Sequence, residues 1–305
     1  MSNFTDIESA LIANNLNFGM TKENLLFVVD NNQFGRVPDK VAVINEDTRD
    51  YLGVVGRNYG LVRYRDSFAF LNPLLEDGTV ELIACKKTRN GARVYIHFVA
   101  PGSIELGYET IVNGFHLFSS CDGSKEIEVH IAPTRLIQDS DGTITNAGLF
   151  VTNITPVKFR HSSAVETRLK AAAKTYEKVV EGFNSFNHDI QKMVKQGVTD
   201  EQAKEYIELT IPGDGNATIR TREDIYTSFK VGRCAGLVQC KGTLYGALSA
   251  VMMWADSCRP RKAKWINEAD ARVESAMLGT TARKKLVAYA TALQFAKNFG
   301  MINNI

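Results

Sequence analysis

The sequence predicts an α+β fold: a hairpin-rich, mostly antiparallel sheet over residues 1–158 with one internal helix, and long helices over 159–305 packed into the same body. Three observations predict it. Asp77-Gly78, Asn90-Gly91, Asp122-Gly123 and Asp141-Gly142 punctuate short alternating runs, and such dipeptides supply the left-handed backbone that tight hairpins need. Beyond residue 158 the apolar repeat lengthens to the three-or-four spacing of helices. Charge divides at the same place. Residues 1–158 hold 14 Lys+Arg against 19 Asp+Glu, net −5; the whole chain holds 36 and 34, which leaves 22 against 15, net +7, for the rest.

Thr5 to Asn15 reads as a short amphipathic helix, with Ile7, Leu11 and Ile12 on one face and Asp6 and Glu8 in the favourable first turn. Leu25–Asp30, Lys40–Ile44 and Tyr51–Val55 read as strands. Between Tyr64 and Leu75 the positions Phe68, Leu71, Leu74 and Leu75 recur at helical spacing. Thr79–Ala84 and Ala92–Val99 flank the Asn90-Gly91 turn, and Val94, Ile96 and Phe98 alternate there with Arg93, Tyr95 and His97. Glu109–Phe118 and Glu126–Ile131 form the next hairpin, around Asp122-Gly123. Thr134–Gln138 and Gly148–Ile154 bracket Asp141-Gly142. Taken together, residues from about 40 to 155 are expected in one sheet.

From Ser162 to Lys195 an apolar stripe runs for about nine turns, interrupted by Gly182 and ended by Gly197. Thr199, three residues before Gln202, has the pattern of a capping box. Ile211–Asn216 is a loop. Helices follow over Thr221–Lys230, Gly242–Cys258, Glu268–Leu278 and Ala282–Phe299, the last closed by Gly300.

At 305 residues and 44% hydrophobic, the chain can bury a substantial core. It carries no basic n-region before an apolar block and no long uninterrupted apolar run, so a cytoplasmic protein away from membranes is expected. Five scattered cysteines, Cys85, Cys121, Cys234, Cys240 and Cys258, fit reduced thiols rather than a disulfide framework. A pI of about 8.2 does not announce nucleic-acid binding, so that case rests on local basic surfaces.

Several segments, in order, resemble a family of phage- and plasmid-encoded proteins catalogued as a domain of unknown function. They are Tyr51-Leu-Gly-Val-Val-Gly-Arg-Asn-Tyr59, Gly91-Ala-Arg-Val-Tyr-Ile96, Ser119-Ser-Cys-Asp-Gly-Ser124, Pro133-Thr-Arg135, Arg160-His-Ser162, and Gly242-Thr-Leu-Tyr-Gly-Ala-Leu-Ser-Ala-Val251 with Asp256. The resemblance spans roughly residues 50 to 260. Two departures stand out: the family commonly has His where Cys121 stands, and a Cys-containing Asn-Thr-Leu segment after Arg135 is not recognisable. The strand-hairpin-helix start followed by long helices also looks like the layout of RecT- and Redβ-type single-strand annealing proteins. That resemblance implies a setting in DNA metabolism.

The main candidate surface is Arg259-Pro-Arg261-Lys262-Ala-Lys264-Trp265, which begins five residues after Trp254. Cations beside an indole can neutralise phosphates and stack a base, the combination that nonspecific single-strand binders use. Arg283, Lys284 and Lys285 extend it. The competing reading is a solvated loop with Trp265 tucked into the helical core. Arg57, Tyr59, Arg63 and Arg65 form a second basic-aromatic group; here the competing reading has Gly56 setting a turn, Tyr59 packing on the sheet and Arg65 pairing with a carboxylate.

Asp122, Ser124 and Arg135 can meet as a polar site, although an Asp-Gly turn needs no such role. Asp122 and Asp256 are candidate paired carboxylates for metal-assisted phosphodiester cleavage, although nothing in the sequence fixes their proximity. His97, His116 and His130 lack ligand spacing, as do Cys234 and Cys240, so no metal or other cofactor is expected. Gly213-Asp-Gly215 lacks the Gly-Lys-Ser/Thr ending of a P-loop, and no Gly-x-Ser-x-Gly elbow is present. The leading expectation is therefore a homo-oligomeric binder of single-stranded DNA without sequence preference, in strand annealing or protection; an enzyme acting on nucleic acid ranks third. The alternative is an oligomeric interaction protein that sets its acidic sheet half against the basic helical half of a neighbour.

Overall fold

The structure is a computed structural model that describes residues 4–30, 33–107, 109–138, 144–150, 156–159, 165–231, 240–257 and 267–302. The fold is α+β, with antiparallel sheets in the N-terminal half and helices in the C-terminal half. Its residues group into two compact units that do not follow chain order. One comprises Met1–Pro101, Gly114–His130 and Thr155–Val179; the other comprises Gly102–Asn113, Ile131–Ile154 and Val180–Ile305.

In the first unit, α1 (Ile7–Ala13) starts at Asp6, whose carboxylate accepts a hydrogen bond from the Ser9 amide at 2.7 Å. Ile7, Ala10 and Leu11 form its buried face. Strands β1 (Met20–Asp30), β2 (Gln33–Asn45) and β3 (Tyr51–Gly56) make a separate three-stranded antiparallel sheet. The single sheet expected from residue 40 onward is therefore two. Strands β1 and β2 also reach further than their alternation indicated.

The expected helix over Tyr64–Leu75 is broken into α2 (Tyr64–Phe68), a 3-10 turn (Ala69–Leu71) and α3 (Asn72–Glu76). Pro73 explains the break. Its ring excludes a continuous helix back to the Ala69 carbonyl, and it is accommodated at the start of α3.

The second, seven-stranded sheet has a main path of β4 (Glu81–Thr88), β5 (Arg93–Leu106), β6 (Glu109–Ser120), β7 (Ile127–Ile131) and β10 (Val157–Phe159), in the order β10-β7-β6-β5-β4. Its other two strands branch off β6. Asn90 and Gly91, between β4 and β5, both take positive φ, 56° and 92°, as that dipeptide predicts. Phe98 stacks on Phe115, ring centroids 5.1 Å apart, and Val94 and Ile96 are fully buried.

In the second unit, β8 (Thr134–Gln138) pairs with the start of β6 and with β9 (Ile144–Leu149). The return strand thus begins earlier than Gly148; Asp141-Gly142 and residues 151–155 lie outside the described residues. Helix α4 (Val165–Lys195), the long helix expected from Ser162 to Lys195, runs on through Gly182, because one glycine costs only about 1 kcal/mol in a helix this long. Its residues up to Val179 group with the first unit and those from Val180 with the second. Helix α5 (Asp200–Thr210) begins at the expected capping box: the Gln202 amide donates to Thr199 Oγ1 at 3.3 Å, and the Thr199 amide donates to Gln202 Oε1 at 2.8 Å.

Helices α6 (Asn216–Val231), α7 (Leu244–Ser257), α8 (Glu268–Met277) and α9 (Thr280–Ile302) complete it. Gly300 does not close the last, which continues two residues further. Helix α7 is buried from Leu244 to Met252 without a polar face, the mark of a central helix. Around it pack Phe186, Ile190 and Met193 of α4, Tyr206 of α5, Phe229 of α6 and Tyr289 of α9.

Candidate functional site

Among the described residues, the segments that carry the family resemblance gather in two places, one in each unit; Arg160-His-Ser162 lies outside the described residues. In the first, the Asp122-Gly123 turn is gripped by its neighbours. Asp122 Oδ1 accepts from the Ser124 amide at 2.9 Å, and Oδ2 accepts from Arg93 Nε at 3.0 Å. The side chains of Arg93 and Asp122 are 17% and 10% exposed, so the pair sits just beneath the surface. Gly53 has a physical reason to be glycine: a Cβ there would lie 2.6 Å from Asp122 Cβ and 2.9 Å from its Cα. Burial acts to raise the Asp122 carboxyl, but the bonds from Ser124 and the Arg93 guanidinium hold it below its ordinary value.

Asp122 thus pairs with Arg93 and not with Arg135, contrary to the polar site the sequence offered. Tyr59 is half-buried, its hydroxyl donates to the Ser120 carbonyl at 3.4 Å, and burial pushes it up to about 12. Arg65 pairs with Glu8 and Asp66. Arg57 is exposed and donates from Nε to the Pro38 carbonyl at 2.8 Å; Arg63 is exposed at the start of α2. Of the expected basic-aromatic group, two cations therefore face solvent while the aromatic ring is occupied.

The histidines are not isolated. His97 Nδ1 lies 3.2 Å from both Nδ1 and Nε2 of His116, and both rings are buried. Burial pulls His97 down to about 4 and holds His116 well below its usual value. His130 instead meets Glu128, at 2.7 Å, with Lys158 on the other carboxylate oxygen at 3.1 Å. Among the described residues no three His, Cys, Asp or Glu side chains gather as a ligand set.

The place in the second unit is a buried ionic network. Arg135 donates from Nε and Nη2 to the two Glu109 carboxylate oxygens at 2.5 and 3.1 Å, and Tyr245 donates to Glu109 Oε1 at 2.7 Å. Side-chain exposure is 2% for Arg135 and zero for Glu109. The guanidinium also lies 5.8 Å from the Phe150 ring centroid. These bonds occupy both Glu109 oxygens, which makes it a structural anchor rather than a base.

Beside that network, Lys285 Nζ bonds Asp256 Oδ1 at 2.5 Å and the Leu149 carbonyl at 2.9 Å. Lys285 is 2% exposed and Asp256 about a third, at 32%. Burial raises the Asp256 carboxyl and lowers the Lys285 ammonium, each opposed by the partner's charge. Gly148 makes room for them: its φ is +117°, and a Cβ there would lie 2.7 Å from Asp256 Oδ2.

Lys285 is therefore not part of the basic surface group in which the sequence placed it, because the Asp256 carboxylate holds it inside. Asp122 and Asp256 are each neutralised by their own cation, so neither is left as half of a paired-carboxylate metal site. Lys284 is half-buried, its ammonium 4.3 Å from the centroid of the half-buried Trp254 ring. Arg259, Arg261, Lys262, Lys264 and Trp265 lie outside the described residues.

The network members that sequence reasoning missed are Glu109 and Gly148. A signal for Glu109 exists: it is in phase with Ile111 two residues on, so a carboxylate on the buried face of a strand demands an internal partner.

This geometry defines an α+β protein whose signature segments serve one turn-centred cluster and one buried ionic network. Residues 51–277 match the family described as Domain of unknown function (DUF932), and the chain belongs to that family. No curated protein and no solved structure matches it. No helix among the described residues is long and apolar enough to cross a membrane.

Proposed function

We infer that this protein binds single-stranded DNA without sequence preference, in a phage or plasmid setting, and acts in strand annealing or in protecting DNA during replication in the bacterial cytoplasm. The observation that carries the reading is Lys284 held over Trp254, a cation and an indole presented together near the surface of a chain segment with net charge +7. Lys284 covers one face of the indole, so such a pair offers a phosphate contact and leaves only the opposite face for a base to stack on. Arg259, Arg261, Lys262, Lys264 and Trp265 follow Trp254 closely in sequence and continue the same chemistry. Exposed Arg57 and Arg63 supply further cations, and the phage or plasmid setting rests on the resemblance read from the sequence.

Fluorescence-anisotropy titration with labelled single-stranded and duplex DNA at two salt concentrations tests it. Single strands should bind more tightly, with an affinity that falls as salt rises. Converting Arg259, Arg261, Lys262 and Lys264 to Ala should flatten the salt slope by roughly 0.7 per lost contact. Trp265→Ala should weaken binding about fivefold to more than a hundredfold while leaving that slope nearly unchanged, since stacking is worth about 1–3 kcal/mol per base. No salt-sensitive affinity for any nucleic acid at low ionic strength overturns the reading.

A further inference from the structure

Three turns of the first unit enclose a cleft of about 600 Å³, within the roughly 300–1,000 Å³ of small-molecule sites. One follows α1, one joins β2 to β3, and one joins β4 to β5. Each is held by its own contacts. After α1, the Asn15 amide donates to the Ile12 carbonyl at 3.0 Å and the Leu16 amide to the Leu11 carbonyl at 2.8 Å, which fixes Asn15 at a φ of 52°. In the β2–β3 turn the buried Asn45 Oδ1 accepts from the Asp47 and Thr48 amides, at 2.9 and 3.2 Å. In the third, Asn90 stands beside Gly91, whose missing Cβ leaves room for the Phe18 ring that lines the cleft. The non-glycine residues with positive φ among the described residues are Asn15, Arg49, Arg89 and Asn90, and all four belong to these turns. Backbone of that kind costs energy and clusters at ligand clamps.

The groups that the cleft presents set the chemistry of its ligand. Among the described residues, the side-chain amides of Asn15 and Asn90 and the carboxylate of Asp47 make no hydrogen bond. Asp50 accepts the Thr48 hydroxyl on Oδ2 at 2.8 Å and keeps Oδ1. Lys87 Nζ lies 3.5 Å from the Asn15 carbonyl and keeps two further N–H groups. Two carboxylates against one ammonium disfavour a phosphate or carboxylate ligand. An apolar ligand would desolvate the amides without replacing their bonds to water. Hydroxyl groups, each donor and acceptor at once, satisfy amide, carboxylate and ammonium alike. Ile12, 56% exposed, adds an apolar wall that suits the carbon–hydrogen face of a ring. We propose that this cleft binds a neutral saccharide. Asp47 and Asp50 accept from its hydroxyls, Lys87 and the two asparagine amides donate to them, and Ile12 packs on its ring.

The test holds no DNA, so its failure is separable from failure of the DNA-binding reading. Saturation-transfer NMR on the full chain takes D-glucose, N-acetylglucosamine and maltotriose as probes, with spermidine and inorganic phosphate as controls. At least one saccharide should bind with a Kd of about 1–10 mM, the range of a small, well-hydrated ligand. Asn90→Gly removes the amide and keeps a backbone that suits the turn, and it should weaken binding about fivefold to tenfold. Asp47→Ala and Lys87→Met should each do the same. Thermal melting should hardly move in any of the three, which separates a lost contact from misfolding. Three outcomes overturn the proposal: no transfer to any saccharide at about 20 mM, tighter binding of spermidine or phosphate than of every saccharide, or saccharide binding unchanged in all three variants.

Discussion

Arg93–Asp122 in the first unit and Arg135–Glu109 in the second join the same two chemical groups under opposite conditions. Asp122 keeps a bond from its own turn and some contact with water, so its guanidinium trims an already acceptable charge. Glu109 is fully buried, and its charge is tolerable only because Arg135 and Tyr245 bond it. The difference teaches where each unit stores its fragility. In the first it lies in backbone fit around a turn, and in the second in a charge balance that cannot lose one member.

Removing one member is therefore the largest expected effect. Arg135→Met should destabilise by about 3–5 kcal/mol in denaturant unfolding, because it strands a buried carboxylate. Glu109→Leu combined with Arg135→Met should recover much of that loss. If the double variant is no better than the single, the balance of charge is not what matters there.

Backbone fit comes next. Gly148→Ala should cost about 2–3 kcal/mol, from a strained φ and a methyl pressed on Asp256. Gly53→Ala should cost about 2 kcal/mol, because the atoms it meets include the backbone of Asp122, which cannot rotate away. Equal stability of Gly53→Ala and the wild type would mean that the Asp122 turn shifts freely.

Acid should sharpen the contrast. His97 sits at about 4 in the fold against about 6.5 when unfolded, so the unfolded chain binds protons first as pH falls. Stability should be complete above pH 7 and decline between pH 6.5 and 4, by about 2 kcal/mol at pH 5 from His97 alone. Hydrogen exchange should locate the loosening in residues 93–101 and 114–120. His97→Phe with His116→Phe should flatten the profile in that window.

The smallest effect is expected from Arg93→Ala, at about 1 kcal/mol, since Asp122 retains the Ser124 amide and solvent. A loss as large as that of Arg135→Met would erase the distinction between the two pairs.

Much of this architecture was legible because it rests on local rules. The capping box at Thr199 and Gln202, the turn at Asn90-Gly91 and the alternation of Val94, Ile96 and Phe98 each follow from a few adjacent residues. The break at Pro73 was equally local and was overridden in reading by the apolar spacing of Phe68, Leu71 and Leu75. What stayed hidden depends on partners far along the chain. Lys285 looks like one more surface cation beside Arg283 and Lys284 until Asp256 and the Leu149 carbonyl are seen to claim it. Asp122 and Arg135 invite each other on paper, yet each has a nearer partner in space, Arg93 and Glu109. Helical phase also separates Lys284 from Lys285, because adjacent residues on α9 point about 100° apart.

The Glu109–Tyr245 bond spans 136 residues. At ordinary synthesis rates of 5–20 residues per second, Glu109 and Arg135 leave the ribosome roughly 10 s before the tyrosine that completes their setting. During that interval a carboxylate destined for full burial must stay hydrated, which delays closure of the strands around it. A shortened gene product ending at residue 158 would hold Glu109 and Arg135 for good in that waiting condition. This makes the second unit indivisible at the level of the gene: no contiguous stretch shorter than residues 102–305 encodes it.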